Sequence, residues 1–121
     1  MTTDYESQRD WALQTQLVRG ATERSQFMET SEAIYLTSGY VYKTAEEAEQ
    51  SFNGERERFV YSRFRNPTVA MFERRLALLE GAEECRATAS GMAAVFASLA
   101  CQLSAGDRLV ASRALFGSCQ Y

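Results

Sequence analysis

Histidine is absent from the 121 residues, which removes imidazole general bases and His-ligated zinc from any chemistry the chain performs alone. Of thirteen basic residues only Lys43 is a lysine, which leaves twelve arginines. The cysteines Cys85, Cys101 and Cys119 form an odd set with no C-x-x-C pair, so reduced thiols are expected rather than disulfides or a thiolate metal site. No basic region followed by an apolar one opens the chain at Met1–Glu6, so no secretory leader is predicted. Long apolar runs are also missing. Residues 87–106 carry no charge, but the apolar core of that stretch, Met92–Cys101, is short and interrupted by Ser98. A bilayer span needs about twenty such residues, so a buried helix is predicted instead. A net charge of −3 offers no footprint for nucleic acid or an anionic membrane. The expected location is the cytoplasm.

What is present is the composition of an ordinary globular chain, 45% apolar and 24% charged, without repeats or low-complexity tracts. Its character changes near residue 60. Before that point the pattern predicts a short helix over 7–19, an extended aromatic and β-branched segment over Ile34–Tyr42, and a helix capped by Thr44 and Glu47 that stops at Gly54. Too few large apolar residues recur here to build a core, so this half is expected to wrap something else.

Beyond residue 60 the elements are sharper. Asn66-Pro67 supplies an N-cap and a proline at the first helical position, Val69, Phe72, Leu76 and Leu79 follow at helical spacing, and Gly81 stands at the C-terminal cap. Cys85–Ala89 reads as a strand, Ser90 caps a helix over 91–103 that is apolar nearly all round, and Arg108–Ser112 reads as a second strand. Helix and strand in alternation predict an α/β fold with a mostly parallel sheet. Two strands with two helices cannot cover both faces of such a sheet, so the sheet is expected to be incomplete here and the chain to be the opening portion of a longer fold. The predicted division is an arm or oligomerisation segment over 1–60 and the beginning of a ligand-binding domain over 61–121.

Three segments could carry chemistry. In Tyr61-Ser-Arg63-Phe-Arg65-Asn-Pro-Thr68, an extended run would put Tyr61, Arg63 and Arg65 on one face, where phenol and guanidinium suit an oxyanion; a solvated arginine pair beside a helix start is the plainer alternative. In Ala87–Ala93, a strand would enter a small-residue turn at Ser90-Gly91 that opens a helix, where free amides and the helix dipole favour phosphate. Turns of this kind are also common without a ligand. In Ala111–Cys119, Phe116 beside Gly117 could lie against a planar cofactor at the carboxyl end of the second strand, or simply pack in a core.

Tyr-Ser-Arg-x-x-Asn-Pro-Thr followed by Ser90-Gly91-Met92 closely resembles the pyridoxal-phosphate enzymes of cysteine and methionine metabolism, the trans-sulfuration family. The resemblance extends over Ile34–Tyr42, Ala45–Ala48, Phe72-Glu73, Leu79–Gly81 and Leu115–Cys119. It implies an arm followed by the start of a fold-type-I transferase large domain. It also implies that Tyr61 and Arg63 reach the cofactor phosphate of a neighbouring protomer, while the amides of Gly91 and Met92 hold the phosphate of their own. Phe116 falls where many members stack a tyrosine on the pyridine ring; phenylalanine keeps the stacking and removes the hydroxyl, which leans towards the sulfide-using branch over the lyases. Arg65 replaces a small residue of relatives and receives no role.

The family holds its cofactor through a lysine, and Lys43 matches no such motif, so no catalytic residue is expected in this chain and none of its own activity. Small molecules, an activated homoserine ester and sulfide, are the implied substrates. The implied assembly is a homo-oligomer, a tetramer of dimeric catalytic units. Rival readings are a cystathionine synthase or lyase of the same family, and a non-catalytic oligomerisation module.

Overall fold

The computed structural model describes residues 7–119, so the leader reading at Met1–Glu6 lies outside the described residues. Internal contacts divide the chain after Cys85 into two compact units. The first contains helices α1 (Leu13–Arg19), α2 (Ala45–Phe52) and α3 (Pro67–Glu80); the second contains α4 (Gly91–Ala100) and a 3-10 turn, Gly117–Cys119.

The helix expected over 7–19 is broken. Ser7–Asp10 forms a 3-10 turn, Ala12 is extended at φ −56° and ψ 143°, and α1 begins at Leu13. The cause is Gln16, whose side-chain amide donates to the carbonyls of Gln8 (3.2 Å), Arg9 (3.0 Å) and Trp11 (3.1 Å) and so holds the end of the turn off the helix axis. Gln8 returns the favour by accepting the Ala21 N–H at 2.8 Å. Both glutamines are buried, and they hold this corner by hydrogen bonds where an aliphatic core would otherwise stand.

Helices α1 and α3 meet where the chain leaves α1 at Gly20. A Cβ there would sit 2.5 Å from the Gln16 carbonyl oxygen and 2.8 Å from Leu78 Cδ2. Its φ of −59° is ordinary, so the demand for glycine is one of space. Gly20→Ala is expected to destabilise the protein by about 1–3 kcal/mol, because one obstructing atom is backbone and cannot swing aside. Thermal unfolding of the variant checks this, and an unchanged midpoint contradicts it.

Among the described residues the buried apolar set is Ala21, Ala70 and Ala77, and no large side chain is fully enclosed. The polar half does wrap something: it wraps α3, and largely through charge. Arg75 donates to the Gly20 carbonyl (2.8 Å) and the Thr22 hydroxyl (3.0 Å) and pairs with Glu32, while Arg74 pairs with Glu23. The helix itself is delimited as its sequence requires. Asn66 accepts from Thr68 N–H at 2.9 Å, Pro67 occupies the first turn, and Gly81 closes the end in left-handed backbone at φ 63°.

Residues 38–42 run back along 58–62 as a loose hairpin whose tip is α2. Gly39 and Tyr61 make an isolated antiparallel bridge, Ser62 N–H donates to the Ser38 carbonyl (2.9 Å), and Tyr42 hydroxyl donates to the Val60 carbonyl (3.4 Å). Thr44 caps α2 through Glu47 N–H at 3.1 Å. The Glu47 carboxylate reaches past the cap to Lys43 N–H (2.8 Å) and takes Arg58 (3.0 Å) and Arg56 (3.3 Å). Arg58 also donates to the Val41 carbonyl (3.0 Å) and lies 4.5 Å over the Tyr42 ring.

The Lys43 amide, then the two guanidinium groups, hold the Glu47 carboxyl below the usual carboxylate range. A depressed folded value means stabilisation present above the unfolded carboxylate pKa and lost as pH falls through the lower folded one. Acid is therefore expected to loosen the α2 tip, and Glu47→Gln to erase that part of the response. Melting midpoints of the two proteins should converge as pH drops from 6 towards 3; a constant gap contradicts the assignment.

In the second unit Ser90 caps α4 by accepting from Ala93 N–H at 3.2 Å, and the helix ends at Ala100, three residues before the expected Leu103, in a turn closed by Leu103 N–H to the Leu99 carbonyl at 3.0 Å. No strand forms at Cys85–Ala89 or Arg108–Ser112, or anywhere among the described residues. A parallel strand needs a neighbour's backbone to exist as one, and among the described residues these segments have none. The same lack leaves α4 bare: no residue of it is buried, and Phe96 is 72% exposed. No helix among the described residues is long and apolar enough to cross a membrane.

Candidate functional site

Tyr61 and Arg63 stand together in the first unit, but not as period two would place them. The extended run expected over Tyr61–Arg65 is a turn, in which the Tyr61 carbonyl accepts from the N–H groups of Phe64 (2.9 Å) and Arg65 (3.1 Å). The turn sets the Arg63 guanidinium 5.9 Å from the Tyr61 ring centroid and 5.5 Å from that of Phe64, and the two rings meet edge to face at 5.7 Å. The phenol and the guanidinium thus share one exposed corner. Arg65 is drawn away from it, pairing with Glu57 at 3.0 Å and lying 5.5 Å over the Phe59 ring. The residue without a role is a brace to the strand-like segment before the turn.

Sequence reasoning passed over the contacts that hold this turn. Ser62 hydroxyl donates to the Thr37 carbonyl and accepts from Asn66 Nδ2 at 3.0 Å. Asn66, only 8% exposed, also donates to the Tyr35 carbonyl at 3.0 Å, and Thr68 hydroxyl accepts from Tyr35 N–H at 2.9 Å. The Ile34–Tyr42 segment is therefore laced to the Tyr61–Thr68 motif. A small polar residue in register between two large candidate ones was the available signal for Ser62.

In the second unit Gly91 and Met92 are the first two residues of α4, and the capping hydroxyl of Ser90 is spent on the third, Ala93. The first two amides thus point beyond the helix end, the arrangement that receives an anion. A Cβ placed on Gly91 would meet nothing within 4 Å, so approach from that side is open. The Gly117–Cys119 turn packs on the same helix, with the Cys119 thiol 3.8 Å from Met92 Sδ. Phe116, 75% exposed, immediately precedes that turn, whose Cys119 N–H donates to the Phe116 carbonyl at 2.8 Å. A flat apolar ring and two unspent amides on one small unit fit a planar, phosphorylated cofactor. The corner formed by Tyr61 and Arg63 belongs to the other unit.

The first unit thus offers an exposed phenol and guanidinium side by side, and the second a helix end with two amides that the Ser90 hydroxyl does not cap and an exposed ring. The profile of the Cys/Met metabolism PLP-dependent enzymes matches residues 14–121, and the chain belongs to that family, whose cofactor is pyridoxal phosphate. It is 66% identical over 102 residues to O-succinylhomoserine sulfhydrylase of Mycobacterium tuberculosis, covering 84% of this chain and 25% of that protein. Against the O-succinylhomoserine sulfhydrylase of Pseudomonas aeruginosa it is 48% identical over 107 residues, covering 88% and 27%. A solved structure from Campylobacter jejuni, assigned as an O-acetylhomoserine (thiol)-lyase and containing a pyridoxyl-lysine monophosphate, superposes with a TM-score of 0.81 at 32% identity, covering 92% of this chain and 27% of that one. The chain spans about a quarter of the length of the relatives it matches.

Proposed function

We propose that this chain is the cofactor-phosphate-gripping part of a sulfhydrylase that converts O-succinylhomoserine and sulfide to homocysteine and succinate, a step of methionine biosynthesis in the cytoplasm. The 66% identity to a sulfhydrylase of that substrate carries the reading. Gly91 and Met92 N–H groups bind the phosphate at the positive end of α4. Tyr61 and Arg63 donate to the same phosphate from a second copy, so residues 1–60 serve as an assembly arm and the working protein is a homo-oligomer, a tetramer of catalytic dimers. Phe116 covers one face of the pyridine ring and, having no hydroxyl, moves no proton.

When bound, the cofactor supplies an electron sink that lets the substrate α-proton depart. Over the whole reaction the γ-carbon would exchange its C–O bond for a C–S bond, succinate departing with the pair of the broken bond and hydrosulfide bringing the pair of the new one. Lys43 takes no part, and the lysine that holds the cofactor aldehyde is assigned outside these residues, so the chain alone is expected to be inactive.

The test is an assay of the complete coding sequence, loaded with pyridoxal phosphate, on O-succinylhomoserine with sulfide. Homocysteine should form. Faster turnover with cysteine than with sulfide would transfer the assignment to a cystathionine synthase, and release of an oxoacid and ammonia from methionine would transfer it to a lyase.

A further inference from the structure

We infer that Ser62 is the positioning residue of the phosphate corner, a role that rests on the proposed grip of Tyr61 and Arg63. Its hydroxyl is fully used. The single proton goes to the Thr37 carbonyl, so the contacts with Asn66 Nδ2 (3.0 Å) and Tyr40 hydroxyl (3.4 Å) are both made to its lone pairs. Its N–H is used as well, on the Ser38 carbonyl at 2.9 Å. Four bonds at one small residue fasten the middle of the turn to the arm and to the cap of α3. The residues on either side, Tyr61 and Arg63, are both exposed, with guanidinium and ring 5.9 Å apart. Ser62 touches no phosphate; it determines where the two groups that do so are aimed.

Fixing the backbone beneath an arginine matters because guanidinium pairs with phosphate through a planar fork, whose strength depends on approach angle. Loss of the hydroxyl leaves the Thr37 carbonyl without this donor and Asn66 and Tyr40 without this acceptor, and the turn gains freedom. The loss falls on the phosphate of the ligand and not on its ring.

The experiment removes cofactor from the complete protein and compares rebinding of pyridoxal phosphate with that of pyridoxal, which lacks the phosphate, by equilibrium dialysis. Ser62→Ala is expected to cut the advantage of the phosphorylated form by about tenfold while leaving pyridoxal affinity unchanged. Ser62→Thr, which keeps the hydroxyl, should retain that advantage. Should Ser62→Ala not fold, Ser62→Cys preserves the volume with only weak hydrogen bonding and should show the same selective loss. An equal loss for both ligands, an unchanged preference in the folded variant, or a loss with threonine as large as with alanine overturns the inference. Arg63→Ala run alongside separates the two claims. If it reduces the preference and Ser62→Ala does not, only the positioning role falls; if Arg63→Ala leaves the preference intact, the grip falls and takes Ser62 with it.

Discussion

Replacing Asn66 with alanine is expected to lower stability by about 2–3 kcal/mol. The side chain serves both ends of the site. Its Oδ1 caps α3 at Thr68 N–H, a role worth about 1 kcal/mol where an N-cap is lost. Its Nδ2 donates to both the Tyr35 carbonyl and the Ser62 hydroxyl, and withdrawing a donor from such part-buried contacts costs about 1–2 kcal/mol. Asn66→Asp divides the two parts, since a carboxylate still caps the helix and cannot donate. Denaturant melts should therefore rank the native protein first, aspartate between, and alanine last. Equal losses for both variants would mean that the cap contributes nothing.

The second large effect is on the cofactor. Arg63→Ala is expected to weaken pyridoxal phosphate about 100-fold, because a charged donor to phosphate is worth roughly 1.5–3 kcal/mol and each 1.4 kcal/mol is tenfold. Tyr61→Phe should weaken it about tenfold, the scale of one neutral hydrogen bond. Neither change should alter folding greatly. Tyr61 and Arg63 lie on the exposed side of the turn, and the contacts fastening that turn run through Ser62, Asn66 and the main chain. Affinity is measured on the complete protein by cofactor titration, and midpoint temperatures of the cofactor-free variants supply the control. A variant at Arg63 that binds like the native protein would remove the guanidinium from the phosphate contacts.

These expectations draw unevenly on what the amino acids disclose by themselves. Thr44, Asn66, Ser90 and Gly81 all stand at the helix ends where their chemistry puts them, because a cap is a bargain between residues at most a few positions apart. The turn at Tyr61–Arg65 was hidden from the same reasoning. Its shape depends on Thr37 and Ser38, more than twenty residues earlier, which claim the Ser62 hydroxyl and amide. The break before α1 is hidden for a similar reason, since Gln16 acts backwards on Gln8, Arg9 and Trp11. Strands at Cys85–Ala89 and Arg108–Ser112 are a matter of company: alternation advertises them, and only an adjacent backbone can make them. Tyr61, Arg63, Gly91, Met92 and Phe116 were legible as candidate chemistry, while the contacts that Ser62 and Arg65 make were not.

Helix α4 has a practical consequence for anyone handling the polypeptide. With Met92, Val95, Phe96 and Leu99 all facing solvent, it is an adhesive surface for hydrophobic dyes, holdase chaperones and other copies of itself. Preparations of these 121 residues should bind such a dye strongly and precipitate on warming.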